Sequence, residues 1–371
     1  MSGKDQSVIS KEALMSTKPG KQIVKQALFK SKGYKLFNKY KEETENQFPN
    51  FAERFAKGLL HEIQSDTNPN ATQQAFGDEV GSTEIILNAS EIEPIKSKLD
   101  NLEVMQDRVN RILNSNFVKM TFPVFNGLFD AAAEYSGRDD SQLKQDMVEG
   151  HILAIDLSEP MDRIVDKDED LEFLDDYKLM NPYILKLARD KISKGGEQVL
   201  KEFEAGFEDA RIGQYLDEKL KSKPTKITEE EMTLSYKKYR AVMGTAGRNM
   251  ALSERPLGEI FYLGMARAAE GVGCGNEIED SIKNGFVKIP SWPLYYSLLA
   301  DNVKKGFEVT LEKSNLYLQD ARLTLELLPE NFSHKEFLEF LFLTVEHYNQ
   351  FWYNKLQKAN KWSEYQSKLP K

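Results

Sequence analysis

The 371-residue chain has one cysteine, Cys274, and four histidines, His61, His151, His334 and His347. A lone cysteine forms no intramolecular disulfide, and so few Cys and His residues exclude a zinc module built on them. Long apolar runs are missing too. The longest uncharged stretch, residues 289–300 (IPSWPLYYSLLA), is well short of the roughly 20 residues that cross a bilayer and holds two prolines. The first 21 residues lack the apolar core of a secretory signal and contain no arginine, which sets them apart from transit peptides. Together these absences lead to the expectation of an intracellular, cytoplasmic protein without a membrane-spanning segment.

What is present is ordinary for a globular protein: 40% apolar residues, 29% charged residues and a net charge of −9. The charge is unevenly spread. Residues 1–41 carry ten lysines against Asp5 and Glu12, a net of +8 that leaves −17 for the rest. Low apolar content to about Thr17, followed by Pro19-Gly20, predicts a flexible basic arm over 1–41 with a short amphipathic helix from Lys21.

Beyond Phe51 the apolar spacing is helical almost throughout. Ile92, Ile95, Leu99, Leu102, Val109 and Ile112 recur at threes and fours or their sums after a capping box at Ser90 and Glu93. Thr228 with Glu231, and Ser333 with Glu336, announce two further helices in the same way. Asn181-Pro182 and Trp292-Pro293 read as helix starts. Strand signals are confined to residues 151–157, which periodicity does not assign, and 285–289. The expectation is an all-α chain. The polar stretch 221–227 with Pro224 divides it into helical lobes at 42–222 and 223–371.

Several chemical motifs are incomplete. Residues 156–176 hold ten acids and two bases, and clustered carboxylates suit Mg²⁺ or Ca²⁺. Leu171 stands where a calcium loop needs its turn glycine. An all-α chain of this size also invites comparison with terpene and prenyl synthases, whose two helical motifs set acids one turn apart so that Mg²⁺ grips a diphosphate. Asp175-Asp176-Tyr177-Lys178-Leu179 lacks the third acid of one motif. Asn249-Met250-Ala251-Leu252-Ser253 lacks the acid four residues later. The cluster therefore reads first as a solvated acidic connection. No histidine has Glu three positions before it, which excludes a helical diiron site. Gly271-Val272-Gly273-Cys274-Gly275-Asn276 lacks the spacing of a nucleotide loop and reads as a turn between helices. His151 and His347 read as core or boundary histidines. No catalytic residue, metal ligand or cofactor is assigned.

The segment 237–267 is net +4 in a negative body. Its Lys237, Lys238, Arg240, Arg248, Arg255 and Arg267 are interleaved with Tyr239 and Tyr262, a mixture that suits phosphates and stacked bases. A basic arm, two helical lobes and a cationic segment just past the boundary are similar in outline to the nucleocapsid proteins of negative-strand RNA viruses. That outline implies a non-enzymatic, self-assembling protein. It would hold single-stranded RNA between its lobes and pair with copies of itself through the arm. The eight residues just named would be its RNA contacts. The bland alternative is an ordinary helical surface in which these arginines pair with the acidic patch. Two other functional expectations stand beside the RNA reading. One is a helical interaction or effector protein whose arm meets an acidic partner or membrane surface. The other is a Mg²⁺-dependent helical enzyme using the acids between Asp162 and Asp176.

Overall fold

The computed structural model describes residues 30–80, 85–113, 116–166, 173–223, 225–287 and 290–370, with backbone alone at 78, 80, 116–117, 156–166 and 284. Among these residues every regular element is helical. In chain order they are α1 (Lys32–Ser65), α2 (Pro69–Val80), α3 (Ala89–Leu99), α4 (Leu102–Leu113), α5 (Asn116–Ser136), α6 (Ser141–Asp166), α7 (Leu174–Ile192), α8 (Glu197–Lys221), α9 (Glu229–Ser235), α10 (Lys237–Met250), α11 (Arg255–Asp280), α12 (Trp292–Ala300), α13 (Val303–Leu323), α14 (Lys335–Ala359) and α15 (Trp362–Lys368). The all-α expectation holds. The unassigned run at 151–157 lies in α6, and 285–287 forms no strand.

Local signals and outcome agree where side-chain chemistry is self-contained. Thr228 accepts from Glu231 N–H while the Glu231 carboxylate takes the Thr228 N–H, so α9 begins as its capping box predicts. Ser291 likewise accepts from Leu294 N–H to open α12. At α3 the box is shifted to Asn88 and Glu91. Ser333 gives its hydroxyl to Glu134 on another helix instead of capping α14.

Pro182 does not start a helix; it lies inside α7. A proline there leaves the carbonyl four residues earlier without its amide. Gln73 from α2 supplies the substitute, its Nε2 lying 3.4 Å from the Lys178 carbonyl and 3.3 Å from that of Leu179.

The glycine-rich run 271–276 is likewise helical, in the last turns of α11. Its glycines answer to crowding. A Cβ on Gly275 would stand 1.9 Å from Asn349 Oδ1, and one on Gly273 would stand 2.9 Å from the Tyr239 ring.

Of the arm expected over 1–41, residues 30–41 are described. Residues 1–29, with the amphipathic helix expected there, lie outside the described residues. Residues 32–41 form the first turns of the 34-residue α1. Phe37 and Tyr40 are buried in those turns, with Phe37 against Phe340 and Tyr40 against Phe337 of α14.

The main hydrophobic core runs from Phe37 to Phe342. It takes Ile152, Ile184 and Phe203 from before the expected division at 222/223, and Met250, Phe261 and Phe337 from after it. A smaller core joins Phe286, Phe307 and Tyr365, and a third joins Tyr236, Cys274 and Trp292. No helix among the described residues is long and apolar enough to cross a membrane.

Candidate functional site

Side-chain contacts fix the helix directions. Lys191 near the end of α7 reaches Asp146 and Glu149 in the first half of α6, so these two run antiparallel. In α8 and α10, Asp217 meets Lys238 at 2.6 Å, and the Val199 carbonyl lies 3.3 Å from Asn249 Nδ2, which is again antiparallel. Arg240 meets Glu270, and Gly247 packs on Phe261 and Met265, so α10 and α11 are antiparallel as well. Met147 packs on Gly195, and the ring of His151, one turn on, packs on that of Phe203, which sets α6 parallel to α8. It follows that α6, α8 and α11 run parallel.

The last turns of α6 carry Glu159 and Asp162, less than one turn apart. The last turns of α11 carry Asn276, Glu277, Glu279 and Asp280. Asn276 Oδ1 accepts from the Tyr348 hydroxyl at 2.7 Å, and the same hydroxyl meets Glu279.

Glu277 turns the other way, into the aromatic cluster. It accepts the Trp292 N–H at 2.8 Å and lies beside Tyr236 and Cys274. Its side chain is half-buried. Burial pushes its pKa up to about 8, with the Trp292 N–H working in the opposite direction. Burial also drives the Cys274 thiol well above its ordinary range, so it is no nucleophile at neutral pH.

The two motifs singled out from sequence are committed elsewhere. Asp176 is 2% exposed and held by Arg108 Nε at 2.7 Å and Lys98 Nζ at 2.8 Å, with the Arg108 guanidinium stacked on Phe173 at 3.3 Å. Asn249 is fully buried and lies 3.1 Å from His151 Nε2. Burial lowers the His151 pKa to about 4, so this histidine is a neutral core residue, as its apolar setting implies. Among the described residues no three acidic, His or Cys side chains converge as a metal site would need.

The eight residues expected to contact RNA lie on α10 and α11, where each cation meets a carboxylate. Lys237 pairs with Asp209 at 3.1 Å and Lys238 with Asp217. Arg240 and Arg267 share the buried Glu270 at 2.6 and 2.8 Å. Arg248 meets Glu259 at 2.9 Å and stacks on Tyr262, and Arg255 meets Glu202. Tyr239 packs edge-on against Tyr236 at 5.1 Å. These partners lie on α8 and α11. The cations therefore join α8, α10 and α11 to one another. Sequence shows that arginines are near one another but not which carboxylates the fold sets opposite them.

No protein-family profile matches the chain, and no curated protein sequence matches it. Among solved structures it is similar to the geranylgeranyl pyrophosphate synthetase from the archaeon Geoglobus acetivorans. The TM-score is 0.53 at 12% identity, over 78% of this chain and 99% of that one. The fold is thus isoprenoid synthase-like. This fold counts against the nucleocapsid-like, non-enzymatic expectation: the helices take the arrangement of an isoprenoid synthase-like bundle. Glu159 and Asp162 on α6 belong to the acidic cluster read from the sequence, whereas Asn276 and Asp280 on α11 were not singled out, because no complete acidic motif surrounds them. The signal that could have found them is acidic spacing at the ends of two parallel helices, which requires knowing their directions.

Proposed function

We propose that the chain is a Mg²⁺-dependent enzyme acting on a prenyl diphosphate at the end of the bundle where α6 and α11 finish. The observation that carries this is the isoprenoid synthase-like bundle, in which α6 and α11 run parallel with Glu159 and Asp162 in the last turns of one and Asn276 and Asp280 in the last turns of the other. Likeness to a geranylgeranyl pyrophosphate synthetase supports the substrate class. The donors are all oxygen, as Mg²⁺ prefers. Because α11 alone offers only Asn276 and Asp280, the ion would need further donors from α6. Glu277 is excluded from the set, since near neutral pH it keeps its proton among Tyr236 and Trp292. Asp176 is excluded by its buried pair with Arg108, so the acids at work lie at the start of the 156–176 cluster rather than at its end. When bound, the ion would offset diphosphate charge and stabilise the leaving group. The protein's own part is to hold the donors in place, and the Tyr348 hydroxyl fixes the Asn276 amide for that purpose.

Thermal unfolding with inorganic pyrophosphate tests this. A ligand at a hundred times its Kd stabilises by about 2.7 kcal/mol. The expected result is a rise in Tm that requires Mg²⁺ and is lost in Asp162→Asn and Asp280→Asn, followed by Mg²⁺-dependent diphosphate release from geranylgeranyl diphosphate. An unchanged Tm with millimolar Mg²⁺ and pyrophosphate together would end the proposal.

A further inference from the structure

The C-terminal stretch reverses the charge of the body. Residues 351–371 hold five lysines, no arginine and a single acid, Glu364, for a net of +4, whereas residues 42–350 carry −21. Two of the chain's three tryptophans, Trp352 and Trp362, lie in the same stretch.

Helical spacing gathers part of it into one face. Phe351, Lys355 and Lys358 follow one another at four and three residues on α14, so their side chains share a stripe. Phe351 is 59% exposed, and both lysines are exposed with it. Phe351 stands edge-on to Trp352 at 5.3 Å, and Lys355 Nζ lies 4.4 Å from the centre of the Trp352 ring. Trp362, half-buried on Phe307, opens α15 just beyond.

The neighbouring acids are already matched. Glu279 pairs with Lys283, Glu364 with Lys368 at 2.5 Å, and Glu308 and Glu312 lie 3.8 and 3.9 Å from Lys304 and Lys305. Among the described residues Lys355 and Lys358 have no carboxylate within ion-pair reach. Their charge is the surplus of this face.

We propose that this face of α14 seats on an anionic lipid surface, with the Phe351 ring in the headgroup layer and Lys355 and Lys358 on the charged headgroups. An exposed ring flanked by lysines has the amphipathic form of an interfacial anchor, apolar body and cationic rim together. Ammonium groups are point charges that suit a fluid leaflet, whereas the fixed phosphates of a nucleic acid or carboxylates of a protein favour the guanidinium fork, which this stretch lacks. The −21 of residues 42–350 is repelled by the same leaflet, which fixes the side that faces it. The inference stands without the reaction proposed above. It sets the leaflet beside the end of α11, since Tyr348, one turn before Trp352, touches Asn276 and Glu279.

The experiment is co-sedimentation of the full chain, at physiological salt, with vesicles of phosphatidylcholine alone or with about one third phosphatidylserine. Binding to the anionic vesicles only is expected. One basic side chain near such a surface accounts for about fivefold in affinity, so Lys355→Gln with Lys358→Gln weakens binding about twentyfold. Phe351→Ala weakens it about tenfold, and Lys201→Gln at the exposed start of α8 leaves it unchanged. All these side chains are exposed, and an unchanged Tm checks that the variants keep the fold. Absence of binding to either vesicle overturns the proposal. So does binding that the α14 variants weaken no more than Lys201→Gln does, or binding indifferent to Phe351→Ala. Capture of single-stranded RNA in place of lipid, or a dimer in light scattering that the α14 substitutions dissociate, would give the face another occupant and overturn it equally.

Discussion

Replacing Glu277 by Gln stabilises the protein by an amount that grows with pH. The folded chain keeps the Glu277 proton up to about pH 8, whereas the unfolded chain gives it up near the ordinary 4.5. Between these values the folded state binds more protons than the unfolded one, so this residue lowers stability as pH rises. Three and a half units at 1.36 kcal/mol each set a ceiling of about 5 kcal/mol. The neighbouring Lys238 and the remaining solvent contact of the side chain bring the expected effect to about 2–3 kcal/mol. For a chain this long that is about 3–5 °C in Tm. Gln preserves the acceptor for the Trp292 N–H, so the comparison isolates the charge. Scanning fluorimetry of both proteins from pH 4 to 9 should show equal Tm near pH 4, a gap that opens above pH 4.5, and a plateau above pH 8. A gap that stays constant across the range, or a Gln variant less stable throughout, would refute the assignment of a buried carboxyl held neutral by its surroundings.

His151 gives the opposite sign. Its pKa falls from 6.5 unfolded to about 4 folded, so stability drops as pH falls through that window, by up to about 3 kcal/mol, and acid unfolding of His151→Gln should lack that slope. Asp176→Ala leaves the buried Arg108 with only the half-exposed Asp107 as partner and should cost about 3 kcal/mol by urea titration, the low end for a broken buried pair; a loss under 1 kcal/mol would show that the pair is not truly desolvated. Truncation through residue 41 removes Phe37 and Tyr40 from the core and should cost about 3–5 kcal/mol for each large ring lost, whereas truncation at residue 29 spares both; equal Tm for the two truncations would contradict the packing of α1 on α14.

The helical character of the chain was legible because it depends on nearest neighbours. Apolar residues three and four apart must share a face, and Thr228 with Glu231 satisfies its own orphan amides without help from elsewhere. His151 was legible as a core residue for a similar reason, since apolar helical neighbours imply burial. Where an outcome depended on a distant group, sequence alone went astray. Pro182 was read as a helix start, yet α7 passes through it because Gln73, more than a hundred residues away, donates to the freed carbonyl. Ser333 was read as a cap, yet its hydroxyl finds Glu134.

The same distinction governs function. By itself the sequence determined composition, net charge, the shortage of Cys and His ligands, and the periodicity that makes a helical protein. These are sums and spacings along one dimension. Only the tertiary structure decided that Arg240 and Arg267 converge on Glu270, that Asp176 is consumed by Arg108, and that α10 and α11 run antiparallel. A charge acts over a few ångströms through the medium around it, and residues a hundred positions apart reach that distance only when the chain has folded.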